Sequence, residues 1–313
     1  MTTPPERRIL LVTHPTRRDA HELAAGVATR LLASGIGVCA PGEDLVGTPL
    51  GEVEGVGGVD GPGSDLGCEL VCVLGGDGTI LRGAELSRGS GAPLLGVNLG
   101  HVGFLAEAER EDLDATVEHI CARAYTVEER MTLEVTARED GHLVFSSWAL
   151  NEVTVEKAAR ERMLELTVEI DGRPLSTWGC DGIVMATPTG STAYAFSAGG
   201  PVVWPDVEAL LLVPISAHAL FARPVVVGPS SHLAVEVVSD TEGRGVVWCD
   251  GRRAVDLPPG ARVQVQRSSE PLRLARLSPR VFTDRLVEKF HLPVHGWRGA
   301  ARRQQAPGEG AAT

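Results

Sequence analysis

Hydrophobic and polar positions follow two different rhythms along this chain, and the change comes near Tyr125. Before it, short continuous apolar runs are separated by stretches of helical spacing. Ile9-Leu10-Leu11-Val12 reads as a fully buried strand closed by His14-Pro15. Residues 17–33 then place Ala20, Leu23, Ala24, Val27 and Leu31 on one face of a helix. A short strand is predicted over 35–39, and two more apolar runs follow at 70–74 and 93–98. The first of these feeds a helix reaching about Arg88, and Leu113, Val117, Ile120 and Cys121 mark another helix over 111–124. Strand and helix in alternation predict a parallel, doubly wound, Rossmann-like sheet. Residues 41–67 are rich in Gly, Asp and Glu with weak apolar content, and are expected to form a mobile surface loop.

After Tyr125 the period drops to two. Residues 131–137 (Met-Thr-Leu-Glu-Val-Thr-Ala) and 164–170 (Leu-Glu-Leu-Thr-Val-Glu-Ile) alternate as half-buried strands do, and Asp171-Gly172 supplies a hairpin turn. Further β-like runs lie at 224–227, 233–238 and 261–266. The expected architecture is therefore an α/β domain over 1–124 followed by an all-β sandwich over 125–280. A helical pattern returns at 281–290 and is expected to pack back on the first domain, while 298–313 reads as a disordered polar tail.

Composition narrows the classes. With 313 residues, 43% of them hydrophobic but only 4% aromatic, the chain can build two cores, mainly from Val, Leu, Ala and Ile. A net charge of −12 with no basic stripe argues against a nucleic-acid surface. No apolar run approaches the ~18 residues of a membrane span, and 1–8 lacks a signal-peptide core, so a cytoplasmic protein is expected. The six cysteines are scattered, which suits reduced structural thiols better than a zinc site. Lys157 and Lys289 are the only lysines, so arginines and backbone amides must serve any phosphate.

Three stretches carry candidate chemistry. Gly75-Gly76-Asp77-Gly78-Thr79 joins a buried strand to a helix, as a phosphate-binding turn does. Asp77 would repel phosphate, so it reads as a ligand for a phosphate-borne divalent cation, as a base for an attacking hydroxyl, or as a helix cap. There is no Gly-x-x-x-x-Gly-Lys-Ser/Thr loop and no Gly-x-Gly-x-x-Gly fingerprint after a strand. Asn151-Glu152 ends an apolar run with an amide and a carboxylate, a pair able to hold a diol such as ribose. Cys180-Asp181-Gly182 leads into Thr187-Pro188-Thr189-Gly190-Ser191-Thr192-Ala193-Tyr194, a dense cluster of hydroxyl donors ahead of a short helix.

In this order and at these separations, the three motifs resemble those of the NAD kinase family. Gly96-Val97-Asn98-Leu99-Gly100-His101-Val102-Gly103-Phe104-Leu105, the run 214–224 around His218 and Arg223, and Cys249-Asp250-Gly251 extend the likeness to nearly the whole chain. The resemblance implies an α/β domain and a β-sandwich domain with the active site between them. It implies that Asp77 activates the 2′-hydroxyl of the adenosine ribose, with Gly78 beside it. It also implies that Arg82, Asn151, Glu152, Arg162, Asp181, Thr192, Ala193, Tyr194, Ala195, Phe196, Ser197 and Arg252 contact NAD or the phosphoryl donor. Gly75, Gly76, Gly78 and Thr79 are then expected at the donor phosphates, with Mg²⁺ as the divalent ion and no direct metal ligand assigned beyond the option of Asp77.

In this family a small residue two before the Asp181 position tends to accompany use of inorganic polyphosphate beside ATP, and Gly179 stands there. The family likeness also implies a homodimer or homotetramer. Two other readings compete: a lipid kinase of the diacylglycerol or sphingoid type, which would share the first motif and a β-rich second domain, and a non-catalytic NAD(H)-binding regulator, which would have no need of Asp77.

Overall fold

The computed structural model describes residues 7–61, 67–100, 103–159, 163–240, 243–277 and 282–294. An apolar strand without alternation must be covered on both faces, and the strands Arg8–Thr13, Leu70–Leu74 and Leu94–Asn98 are each buried almost throughout. They lie side by side in parallel, with Gly37–Pro41 beside Arg8–Thr13. The helix Arg18–Ala33 covers one face through Ala20, Ala24, Val27 and Leu31, and Leu113–Ala122 adds Val117 and Ile120 to the same cluster. The helix Asp77–Ser87 covers the other face with Ile80, Leu81 and Ala84.

Two strands from the later half of the chain complete this sheet. Leu272–Arg276 runs parallel to Leu94–Asn98, and Thr126–Arg130 pairs antiparallel with Leu272–Arg276. Both fall within the stretch expected to be sandwich, because alternation shows that a segment is a strand but not which sheet it joins. The remaining strands form two six-stranded antiparallel sheets. One is ordered Val225–Val227, Leu210–Ile215, Gly182–Ala186, Glu152–Lys157, Gly245–Cys249, Arg253–Leu257; the other runs from Arg173–Cys180 to His142–Ala149. Their inner faces share one core, in which Leu133, Val135, Leu166 and Val168 of one sheet meet Val153, Val155, Ile183 and Met185 of the other. Asp171 and Gly172 turn the expected hairpin with positive φ at both residues.

The Gly- and Asp-rich stretch differs from its expectation. Its described part, 41–61, holds the helix Gly42–Leu45, a turn of 3₁₀ helix over Pro49–Glu52, and the edge strand Val56–Val59 parallel to Gly37–Pro41. Its anchors are Leu50 and Asp44, both fully buried. Asp44 accepts the Thr13 backbone N–H at 3.0 Å and forms a forked pair with Arg82, at 2.9 and 3.0 Å. A buried aspartate and a Val-Gly-Gly-Val strand leave no apolar rhythm to read. None of the six cysteines is in a disulfide, and the 298–313 tail lies outside the described residues.

Removing one member of a buried, forked ion pair strands the other. Asp44→Ala is therefore expected to cost about 3 kcal/mol, read as a lower urea midpoint for the unit that carries the parallel sheet.

Candidate active site

The turn at Gly75–Gly76 is shaped by contact as much as by flexibility. The strand Leu70–Leu74 ends when the Gly75 N–H bonds the Val97 carbonyl at 2.9 Å, and the helix begins with Gly76 accepting from Thr79 and Ile80. Gly76 caps this helix without a side chain, so nothing of its own competes for the first amides. Thr79, expected at the donor phosphates, is buried and leans over Gly75, where a Cβ would overlap its hydroxyl. Gly76 and Gly78 are exposed and Asp77 is half-buried.

Among the described residues, Asp77 is held by backbone amides and not by a side-chain cation. Its two carboxylate oxygens accept the N–H groups of Phe104 and Leu105, both at 3.3 Å. A Cβ at Gly103 would strike the same carboxylate, so this close approach requires glycine. The loop is fixed in turn by Arg285 of the helix Phe282–Phe290, which donates to the carbonyls of Phe104 (3.1 Å) and Ala106 and to Glu107 (2.7 Å).

The second half of the site is built on a buried carboxylate that sequence reasoning left without a role. Asp250, in the left-handed region at φ 52° in the turn before Arg253–Leu257, accepts the backbone N–H groups of Leu150, Asn151 and Glu152 at 2.9, 2.7 and 3.3 Å. Arg253 completes its shell at 3.0 Å. A carboxylate that gathers three successive amides fixes the 150–152 corner, and with it the Asn151 and Glu152 side chains. Gly190 packs on the Asn151 carbonyl with no room for a Cβ.

The hydroxyl cluster builds this corner more than it faces solvent. Thr187 donates to the Leu150 carbonyl at 2.6 Å and accepts from the Gly190 N–H, while Ser191 bonds Pro188 and Val203. Thr192 bonds the Thr189 carbonyl at 3.3 Å. Ala195 is part of a core with Val184, Leu211 and Val213, so it supports the helix Tyr194–Ser197 from below and does not face a ligand. Tyr194, Phe196 and Ser197 are exposed beside it.

Glu152 stands out electrostatically. Burial pushes its carboxyl up to about 8, the Asp250 and Glu156 charges add to that, and the Tyr194 backbone amide opposes it. Its Oε2 has no hydrogen-bond partner among the described residues. Asp181 is the opposite case: Lys157, 2.5 Å away, holds its carboxyl below the usual range, against the smaller upward pull of burial.

Packing joins the two halves. Leu150 sits in one cluster with Ile80, Leu81, Ala84 and Leu105, directly behind the glycine turn. The Phe290 ring lies 5.9 Å from Phe104, next to Asp77, and 4.7 Å from Phe196. Two expected ligand contacts have other work. Arg82 directs all five N–H donors inward, to the Thr13 carbonyl, Asp44 and Glu43, and has none left for a dinucleotide. Arg252 bonds Glu85 on the glycine-turn helix at 3.0 Å, tying the two units together. Arg162 lies outside the described residues.

Comparison with known proteins agrees with this geometry. A family model described as the ATP-NAD kinase N-terminal domain matches residues 62–125, and one described as the ATP-NAD kinase C-terminal domain matches 150–277. NAD kinase 2 of Streptomyces coelicolor is 60% identical over 96% of this chain and 99% of its own length. The NAD kinase of Leifsonia xyli is 61% identical over 94% of this chain and 97% of its own. The chain belongs to the NAD kinase family.

Among solved structures, an NAD kinase from Archaeoglobus fulgidus in complex with ATP superposes with a TM-score of 0.68 at 26% identity, over 91% of this chain and 99% of that one. Yeast NADH kinase complexed with NADH shares the fold, with a TM-score of 0.84 at 23% identity over 94% and 89%. The family models match both halves of the chain, so the lipid-kinase alternative loses its footing. Asp250 and Phe104 lie in stretches that the NAD kinase likeness contained without a role attached to them. The signal for Asp250 was a carboxylate at a Gly turn among apolar strands, where an unpaired charge could not remain.

Glu152 yields a pH test. A carboxyl raised from 4.5 to about 8 favours the folded state fully below the lower value and loses that contribution as pH rises through the upper one. Relative to the native chain, Glu152→Gln should gain stability between pH 5 and pH 9, read as urea midpoints of both proteins at each end of the range.

Proposed function

We propose that this chain is an NAD kinase in which Asp77 is the general base. The observation that carries the reading is the Asp77 carboxylate, fixed by two backbone amides and paired with no side-chain cation among the described residues, at a helix N-terminus whose glycines are open. Asp77 takes the proton of the ribose 2′-hydroxyl, and the freed oxygen attacks the terminal phosphorus of the donor. The new O–P bond forms as the bond to the leaving phosphate chain breaks, giving NADP. The exposed amides at Gly76 and Gly78 face charge that shifts toward the leaving oxygens, which favours the transition state over the ground state. Asn151, Glu152, Asp181, Thr192, Ala193, Tyr194, Phe196 and Ser197 are assigned to the dinucleotide. A Glu152 carboxyl poised near 8 exchanges between donor and acceptor close to neutral pH, which suits a ribose hydroxyl.

Among the described residues no group of three or more His, Cys, Asp or Glu side chains is placed to hold a metal. That donor set fits an ion carried largely by substrate phosphates and water, with Asp77 the one carboxylate at the turn. Mg²⁺, when bound, supplies charge neutralisation. No helix among the described residues is long and apolar enough to cross a membrane; a cytoplasmic setting is our reading of the substrates. A homodimer or homotetramer is also proposed, supported by the family likeness and by the exposed apolar pair Leu220 and Phe221.

With NAD, Mg²⁺ and ATP, the purified chain is expected to form NADP in a dehydrogenase-coupled assay. Asp77→Asn should lower that rate by about 10³-fold or more with NAD affinity retained; normal turnover in the variant would remove the general-base role. Gly179 leads us to expect polyphosphate as a second donor. A polyphosphate rate no higher than that of a donor-free blank would sink that assignment.

A further inference from the structure

Behind the aromatic stack lies a cavity of about 840 Å³ that the proposed reaction does not use. Its walls come from the end of the first unit, the turn at Trp204, and the helix Phe282–Phe290. The volume is that of a small-molecule site, and the lining combines aromatic surface from Tyr125, Trp204 and Phe282 with the guanidinium groups of Arg130, Arg276 and Arg285. Asp77 and the Asn151 corner are not part of the wall.

Ion pairs in and behind its wall are shared. Glu107, almost fully buried, is shared by Arg276 (2.9 Å) and Arg285 (2.7 Å). Glu128 is shared by Arg276 (2.8 Å) and Arg130 (2.7 Å). Among the described residues of this cluster, three guanidinium groups share two carboxylates. Arg130 is 94% buried by side-chain and backbone surface together, at 6% residual exposure, yet its Nε has no hydrogen-bond partner among the described residues. Glu128 is its one ion-pair partner there. Arg82 of the same chain shows how a buried arginine is normally satisfied, with every N–H donor engaged. Burial pushes the Arg130 guanidinium down to about 10, and the charges of Arg276 and Arg285 push the same way despite Glu128. Asp206 stands on the exposed rim and opposes an anion there, so the favourable position is deep, at Arg130.

We propose that this cavity is a second binding site, for a phosphate-type oxyanion borne by a small aromatic molecule, with Arg130 as its principal anchor and Trp204 and Phe282 against its ring. An oxyanion would give the buried Arg130 Nε–H the acceptor it lacks among the described residues. The site is separate from the glycine turn, but it shares Phe104 and the Phe282–Phe290 helix with it. A ligand here would therefore press on the same loop that holds Asp77.

The test uses the full native chain with two probes, inorganic phosphate and 1-naphthyl phosphate. Both should raise the thermal midpoint, the naphthyl ester by at least about 2 °C at saturation, and saturating NAD should not remove the effect. Arg130→Met keeps volume and leaves Glu128 paired to Arg276; it should weaken both probes at least tenfold while NADP formation stays within about twofold. Trp204→Ala, at an exposed position, should weaken the naphthyl ester alone, and it remains informative where Arg130→Met fails to fold. No midpoint shift in the native chain, an equal shift in Arg130→Met, or full displacement by NAD would each overturn the site. Equal affinity of Trp204→Ala for the naphthyl ester would overturn the aromatic part. None of these outcomes bears on the role of Asp77.

Discussion

An arginine or lysine paired with a carboxylate weakens it as a base, so the base proposed at Asp77 is better steadied by neutral groups. Asp77 meets this constraint through two backbone amides. Much of the architecture follows. The amides belong to a loop that only glycine at 103 lets approach, and that loop is fastened by Arg285 from the last helix of the chain. The helix is in place because the strand Leu272–Arg276 returns to the parallel sheet after the whole sandwich has been built. A topology in which the chain leaves and re-enters one sheet thus has a local reason at the Asp77 turn.

The other half of the site solves the same problem with the opposite burial. Asp250 is deep enough that it must be fully bonded, and the three amides that satisfy it are those of the corner carrying Asn151 and Glu152. Glu152 is left short of partners in the same surroundings, with one oxygen unbonded. One acid is made structural by saturation and its neighbour chemically available by the lack of it. The hydroxyls of Thr187 and Ser191 belong with Asp250: they tie strand ends together and leave the ligand to the groups that remain.

Sequence pattern was most legible where burial alone decided the residue types. The strands at 9–12 and 70–74, the alternation of Leu164–Ile170 and the helix after Asp77 were readable because each face of these elements has one kind of neighbour. The misreadings share one cause, a polar group with a buried partner far away in sequence. The stretch from 41 looked like a loop, yet Asp44 within it is held by Arg82, which lies 38 residues away. Thr79 and Ala195 lay inside functional motifs but serve packing, since a motif constrains the backbone as strictly as it constrains the chemistry. Strands 126–130 and 272–276 carried the right period, which is silent about the sheet that will receive them.

Arginine takes a particular burden in a chain with so few lysines. A planar fork of five donors can lock a buried carboxylate, bridge carbonyls and hold two units in register, as Arg82, Arg285 and Arg252 do. The same rigidity makes an incomplete set conspicuous. Where every donor is met, as at Arg82, the guanidinium is part of the scaffold and has nothing to offer a ligand. Where a buried donor has no acceptor among the described residues, as at the Arg130 Nε in the cavity wall, the guanidinium is open to a further partner. Counting donors at each buried arginine therefore separates scaffold from site more sharply than its proximity to a motif.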